Sequence, residues 1–136
     1  MRPVDKKFKT TFGYGVKTFL AVGGMHKGVD YSVPVGTPVV ACTDGVVTDC
    51  QWGPAFGHHV VVANKAFADG TPGLWIGYMH LSKIQVKPGQ KIKKGQIIGL
   101  SGNSGHTTGP HLHLEVQKSC MWTAMRSVNP QKWIDA

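Results

Sequence analysis

Two histidines separated by a single residue, His111 and His113, are the first candidates for chemistry in this sequence. They lie in the stretch 111–116, where polar and apolar residues alternate with the period of a β-strand. This alternation puts His111, His113 and Glu115 on one face and turns the apolar residues to a core. On a strand, such imidazoles stand about 6–7 Å apart at the backbone, a span that one metal ion can bridge. Two solvent-exposed histidines on a half-buried strand would give the same pattern, so the pair alone leaves both interpretations open.

A second candidate pair is His26 and Asp30, an imidazole and a carboxylate with three residues between them. Both are good zinc ligands, and a catalytic zinc site keeps one position open for water. In a straight strand they would lie about 13 Å apart, close to the limit for sharing one ion. Gly28 between them lets the backbone curl and bring them together. This spacing alone is a weak signal, and so is His80, a lone histidine predicted to lie at the rim of a sheet.

The segments that must position these residues are short apolar runs broken by turns. The runs that predict strands are residues 38–42, 46–48, 59–63 and 74–79. Asp44-Gly45 lies between the first two runs and predicts a hairpin. Residues 101–110 hold three glycines and no apolar run, which predicts a loop. No segment keeps a helical apolar period for three turns. We therefore predict an all-β fold, a compact antiparallel sheet or sandwich.

Length and composition exclude several classes of protein. The 136 residues predict one domain, 1–136. A hydrophobic content of 41% with 16% charged residues excludes disorder. No apolar run reaches the roughly 18–20 residues of a membrane-spanning helix, so no membrane insertion is expected. Three cysteines without a C-x-x-C pair argue against a disulfide framework and against a cysteine zinc site.

The formal net charge of +8 predicts a polyanionic partner, either nucleic acid or an anionic surface such as a cell wall. Binding of single-stranded nucleic acid would require basic residues interleaved with exposed aromatic ones. The basic cluster here has almost no aromatic residues and consists of Lys83, Lys87, Lys91, Lys93 and Lys94. No phosphate-binding glycine motif accompanies it. We therefore expect no nucleic acid partner.

Three separated motifs, in this order, resemble the lysostaphin/LytM-type zinc metalloendopeptidases. They are Gly23-Gly24-Met25-His26-Lys27-Gly28-Val29-Asp30, Tyr78-Met79-His80-Leu81-Ser82 and Gly109-Pro110-His111-Leu112-His113. Segments 36–39, 95–99 and 101–105 are also similar to the family. The resemblance covers roughly residues 11–130, and three motifs in the right order are far more specific than any one of them.

The resemblance implies a role for each candidate. His26, Asp30 and His113 would be the ligands of one zinc ion per chain, and His80 and His111 would be catalytic. Tyr14, upstream of the first ligand, would donate a further hydrogen bond to the developing oxyanion. The implied fold is a lysostaphin-like antiparallel sheet of the duplicated hybrid motif type, with a substrate groove and long loops.

The implied function is a peptidoglycan hydrolase, a zinc-dependent endopeptidase that cuts cross-bridge or stem peptides of bacterial peptidoglycan and lyses the wall. The alternative is an inactive family member that binds peptidoglycan or activates a partner, and such proteins typically lack one or more ligands. Positive charge would attract the chain, expected to be a monomer, to the anionic wall.

The N-terminus has basic residues but no apolar segment typical of a secretory signal. We therefore expect synthesis in the cytoplasm followed by action on the wall. A phage endolysin, released at lysis, fits this expectation, and so does a catalytic domain excised from a larger protein.

Overall fold

The computed structural model describes residues 2–5, 7–8, 10–12, 28–53, 57–66, 72–105, 109–117 and 127–128. This part of the chain contains ten β-strands and no helix, which confirms the all-β prediction. The strands are β1 (Thr10–Phe12), β2 (Val29–Tyr31), β3 (Pro38–Val40), β4 (Gly45–Gly53), β5 (Gly57–Ala66), β6 (Pro72–Ile84), β7 (Lys91–Ile92), β8 (Ile97–Ser101), β9 (Leu112–Gln117) and β10 (Ser127–Val128). A search of the same residues finds no helix long and apolar enough to span a membrane.

The strands pair in antiparallel fashion in the order β1-β2-β9-β6-β5-β4-β7. β10 pairs with β9, and β8 pairs with both β3 and β6. The longest strand, β6, changes partners along its length. Residues 75–79 pair with β9, whereas Leu81, Lys83 and Ile84 pair with β8, and His80 lies where the partner changes. The predicted strand 74–79 is therefore present, but the prediction that it ends before His80 is wrong.

The Asp44-Gly45 turn does not close the predicted hairpin. β3 pairs with β8, while β4 pairs with β5 and β7. Asp44 instead fastens two other segments: its carboxylate accepts the Lys94 N–H at 2.7 Å, and its carbonyl accepts from the Asn64 side-chain amide at 2.7 Å. The hairpin prediction is wrong because a turn signal is local and does not specify which distant strand each arm meets.

β9 lies between β2 and β6 and is enclosed on both faces. Its three apolar side chains are fully buried, which confirms the predicted core face: Leu112, Leu114 and Val116. The opposite face is almost as well covered, since His113, Glu115 and Gln117 are only 6–9% exposed. The burial of His113 argues against the interpretation of the pair as two solvent-exposed histidines on a half-buried strand.

The hydrophobic core lies under the central strands. Its largest fully buried side chains include Tyr31, Tyr78, Ile76, Leu81, Ile98, Leu112 and Leu114. The hydroxyl of Tyr78 accepts a hydrogen bond from the Cys42 N–H at 2.9 Å, so this buried phenol has a polar partner. Burial raises the pKa of the Cys42 thiol to about 12, because it outweighs the hydrogen bond with the Tyr78 hydroxyl, which lowers that pKa.

Candidate metal and catalytic centre

Three adjacent strands bring the candidate residues together. Asp30 of β2 lies directly opposite His113 of β9, and His113 lies opposite Met79 of β6. His80 follows Met79, and His111 precedes β9 in a bridge with Gly102. The sheet register therefore gathers four of the six residues predicted from the sequence. The other two, His26 and Tyr14, lie outside the described residues.

The tightest contact in the cluster joins His113 to Asp30. Nδ1 of His113 is 2.7 Å from Oδ1 of Asp30, and the two residues are 9% and 8% exposed. Burial alone would lower the pKa of His113, but hydrogen bonds to Asp30 and Glu115 and the charges of both carboxylates raise it to about 9. An imidazole nitrogen and a carboxylate oxygen thus meet in a buried, negatively charged setting.

A second carboxylate, Glu115, binds the other side of the His113 ring. Its Oε1 lies 3.0 Å from His113 Nε2, and its Oε2 accepts a hydrogen bond of 3.1 Å from the Gln117 amide. Sequence reasoning had placed Glu115 on the face of the histidines without giving it a role. The missed signal was the alternation itself, because side chains two residues apart on one strand are neighbours.

His111 lies near the carboxylate of Asp30, at the edge of the cluster. Its Nδ1 is 2.7 Å from the carbonyl oxygen of Gly109, which can only accept, so Nδ1 carries a proton. Its Nε2 lies 3.7 Å from Oδ1 of Asp30. The His111 ring centroid is 4.8 Å from that of His80, with the rings tilted by 54°.

His80 has an unusual backbone conformation, with φ at +64°. Residues other than glycine rarely adopt a positive φ, and at His80 this conformation coincides with the change of strand partner. Nδ1 donates to the carbonyl oxygen of Ser104 at 2.8 Å. Burial, helped by the neighbouring His111 and His113, outweighs that hydrogen bond and lowers the pKa of His80 to about 4. Neutral His80 therefore has its unprotonated nitrogen at Nε2.

Ser104 fixes the loop that holds His80. Its hydroxyl donates to the carbonyl oxygen of Leu81 at 2.6 Å and accepts the His58 N–H at 3.1 Å. Gly57 packs so closely on Ser104 that any Cβ there would collide with it. The sequence marked Ser104 only as part of segment 101–105 and gave it no role, because its hydrogen-bond partners His58, His80 and Leu81 are distant in the chain.

Gly28 lies beside the cluster at a position where a side chain would not fit. A Cβ at this position would collide with the carbonyl oxygen of Leu114 and lie 2.9 Å from Cε1 of His113. The backbone of residue 28 thus approaches the strand that carries His113, and glycine is required there for space.

Within the described ranges, no three His, Cys, Asp or Glu side chains are arranged to hold a metal ion. The predicted ligand set also includes His26, which lies beyond those ranges. Asp30 and His113 are the two predicted ligands whose contact is seen directly.

Residues 24–130 match the sequence profile described as peptidase family M23. The chain is 42% identical over 117 residues to the peptidoglycan DD-endopeptidase ShyA of Vibrio cholerae, an alignment that covers 84% of this chain and 26% of ShyA. Curated relatives of this kind are much longer, and the chain spans 21–32% of the first four.

Solved structures share the fold. The catalytic domain of the antimicrobial peptidase lysostaphin from Staphylococcus simulans superposes with a TM-score of 0.83 at 35% identity, covering 96% of this chain and 94% of that domain. A zinc-containing peptidase from Vibrio cholerae gives a TM-score of 0.77 at 36% identity, covering 94% of this chain and 37% of that protein. The lysostaphin-like fold implied by the sequence motifs is thereby confirmed.

Proposed function

Because the chain belongs to peptidase family M23, we propose that it is a zinc-dependent endopeptidase that hydrolyses peptide bonds in bacterial peptidoglycan. The observation that carries the proposal is the cluster itself, in which Asp30, His80, His111 and His113 converge from three strands and an adjoining loop. Two carboxylate–histidine contacts and two further imidazoles in one buried place are costly to build unless they serve chemistry.

The donor set fits a zinc ion. His113 Nδ1 and Asp30 Oδ1 are 2.7 Å apart and buried, and nitrogen and oxygen donors of these two types are common zinc ligands. With Asp30 as a ligand of the same ion, Nδ1 is the His113 nitrogen on the side of the ion, while Nε2 faces Glu115 at 3.0 Å. His26 would be the third protein ligand, as the family resemblance implies. When bound, zinc supplies Lewis-acid polarisation of the scissile carbonyl and activates water as a nucleophile near neutral pH.

The two remaining histidines would move protons through Nε2. Both rings donate Nδ1–H to a backbone carbonyl, Ser104 for His80 and Gly109 for His111, so each ring is fixed in orientation. A neutral ring can accept a proton at Nε2, and a protonated ring can donate one from the same atom to a developing oxyanion or a leaving amine. With ring centroids 4.8 Å apart, both histidines would serve the same scissile bond.

The names of two relatives support the proposed substrate class. ShyA is named a peptidoglycan DD-endopeptidase, so direct cross-links between stem peptides are the first substrate to test. ALE-1 of Staphylococcus capitis is named a glycyl-glycine endopeptidase, so glycine cross-bridges are the second. The lysostaphin catalytic domain matches almost the full length of this chain, which supports one catalytic domain over 1–136.

The test is mass spectrometry of the fragments that purified, zinc-loaded protein releases from two wall preparations, one cross-linked directly and one through oligoglycine. We expect new peptide termini in one of them, and the position of these termini identifies the bond. His111→Ala should abolish release. Thr48→Ala, an exposed change on β4, serves as the control and should keep full activity.

Two outcomes would overturn the proposal. In the first, the zinc-loaded protein releases no fragment from either wall, and the His111→Ala variant behaves in the same way. The other is a protein that binds no zinc yet binds peptidoglycan, which would favour the inactive binding module. Metal content by elemental mass spectrometry separates the two.

A further inference from the structure

The polar face of β9 continues beyond the histidines in a way that the proposed function does not use. His113, Glu115 and Gln117 are successive residues on that face, each almost fully buried. Their side chains form a connected row, from His113 Nε2 to Glu115 Oε1 at 3.0 Å and from Glu115 Oε2 to the Gln117 amide at 3.1 Å. A buried carboxylate is costly unless it is paired and hydrogen-bonded, and this one has a partner in the row at each oxygen.

The row gives one nitrogen of His113 a partner other than the proposed zinc ligands. Nδ1 lies 2.7 Å from Asp30, and Nε2 lies 3.0 Å from Glu115. Because Asp30 is a ligand in the proposed site, Nδ1 is the ring nitrogen on the side of the ion, and Glu115 is the carboxylate that can accept the second N–H, on Nε2. Histidines that bind metals commonly donate their second N–H to a carboxylate, which sets ring orientation and raises the basicity of the metal-binding nitrogen.

The position of Glu115 is itself held from two sides. Gln117 donates to its second oxygen, and the strand geometry keeps residues 113, 115 and 117 on one face. The backbone of Gly28 approaches both residues on the same side, since a Cβ there would lie 3.0 Å from Cγ of Glu115 and 2.9 Å from Cε1 of His113.

We propose that Glu115, held by Gln117, is a positioning residue that presents Nδ1 of His113 to the zinc ion and strengthens that ligand. The inference rests on the proposed function, since it assumes that His113 binds zinc. It assigns Glu115 no contact with substrate or with the ion.

Zinc affinity, measured by competition with a chromophoric chelator, tests the proposal with a readout other than activity. Loss of a carboxylate partner of this kind typically weakens metal binding about 10–100-fold, and we expect that range for Glu115→Ala. Glu115→Gln keeps an oxygen that can accept from Nε2 and should restore most of the affinity. Gln117→Leu, which frees the carboxylate without removing it, should have an intermediate effect. Ser82→Ala, on a different strand, is the matched control and should not change affinity.

Ring nitrogen NMR of the zinc-loaded protein gives an independent check. In the wild type, His113 should bind zinc through Nδ1 and keep a slowly exchanging proton on Nε2. In Glu115→Ala that proton should exchange rapidly with water. The thermal midpoint of each metal-free variant shows whether the protein is folded at the assay temperature.

The outcomes distinguish a failure of the role proposed for Glu115 from a failure of the proposed function. If the wild type binds zinc and Glu115→Ala binds it within twofold, with the Nε2 proton unchanged, this inference is overturned and the proposed function stands. If Glu115→Ala and Glu115→Gln weaken zinc binding equally, hydrogen bonding to the ring is not the cause and the inference is also overturned. If the wild type binds no zinc, the proposed function and the inference fall together.

Discussion

At the scale of single residues, His80 shows how much local conformation the site requires. The sequence predicted a histidine at the end of a strand, and the family resemblance implied a catalytic role. The sequence could not predict the φ of +64° at His80 or the hydrogen bond from His80 to Ser104, because both depend on contacts between segments distant in the chain. Residue types and spacing made Asp30 and His113 candidates, and the family resemblance implied that they are ligands, whereas Glu115 was recognised only as a neighbour on the same face.

Replacing His80 should separate its ring chemistry from its backbone conformation. Asparagine tolerates positive φ better than most residues, so His80→Asn removes the imidazole with little backbone strain. We expect turnover of peptidoglycan to fall by about 10²–10⁴, the usual contribution of a general acid or base, with zinc content unchanged. Turnover and zinc per chain are measured on the same sample, and activity within tenfold of wild type would contradict the assigned role.

Cys42 should be unreactive in the folded protein. Thiol reagents attack the thiolate, and burial raises the pKa of Cys42 from 9.0 to about 12, so almost none is ionised at pH 8. The raised pKa stabilises the fold fully below pH 9, and this stabilisation is lost as pH rises toward 12. Peptide mapping after alkylation at pH 8 should find Cys42 labelled only after denaturation. Labelling of native protein at the unfolded rate would refute this.

At the scale of elements, the site depends on one strand changing partners. β6 pairs with β9 up to Met79 and with β8 from Leu81 onward. Apolar periodicity predicted the strands themselves, since it follows from which face is buried. It predicted neither the extension of β6 to Ile84 nor the partners of β3 and β4, because pairing is decided by contacts between distant segments.

Ser104 joins the loop after β8 to β5 and β6, and its removal should loosen His80. Ser104→Ala removes the part-buried hydrogen bonds to the Leu81 carbonyl and the His58 N–H, at about 0.5–1.5 kcal/mol of unfolding free energy each. Turnover should fall as well, since the Ser104 carbonyl orients His80. Urea unfolding and turnover measure the two effects.

The matched control for Ser104→Ala is Ser82→Ala. Ser82 is exposed, and its hydroxyl also donates to a backbone carbonyl, that of Ser101 at 2.9 Å. Water can replace that bond, so the loss should stay below about 1 kcal/mol. Equal losses of stability and turnover in the two variants would show that Ser104 has no special role in the loop.

At the scale of the whole molecule, the net charge of +8 is the feature that the proposed catalytic cluster does not explain. Five lysines between residues 83 and 94 are all exposed: Lys83, Lys87, Lys91, Lys93 and Lys94. β7, which carries Lys91, ends the strand order, with β6, β5 and β4 between it and β9. Attraction to an anionic wall can therefore act away from the cluster.

Wall binding by the inactive His111→Ala variant should weaken steeply with salt, since exposed charges are largely screened beyond about 10 Å at 0.1 M ionic strength. Reversing three charges in Lys91→Glu, Lys93→Glu and Lys94→Glu together should lower binding further. The matched Lys→Arg triple variant keeps the charge and should bind as the parent does. Sedimentation with wall fragments measures this, and salt-insensitive binding would exclude the electrostatic account.

β9 carries core residues on one face and residues of the proposed metal centre on the other, at alternate positions. A slip of one residue would exchange the two sets, putting His113 and Glu115 into the core and Leu112 and Leu114 at the centre. A single insertion or deletion in this strand would therefore disrupt both the core and the proposed centre. A two-residue change would keep each set on its own face and only shift the proposed centre along the strand. Length changes during the evolution of this domain should accumulate in the loops and leave residues 112–117 fixed in length.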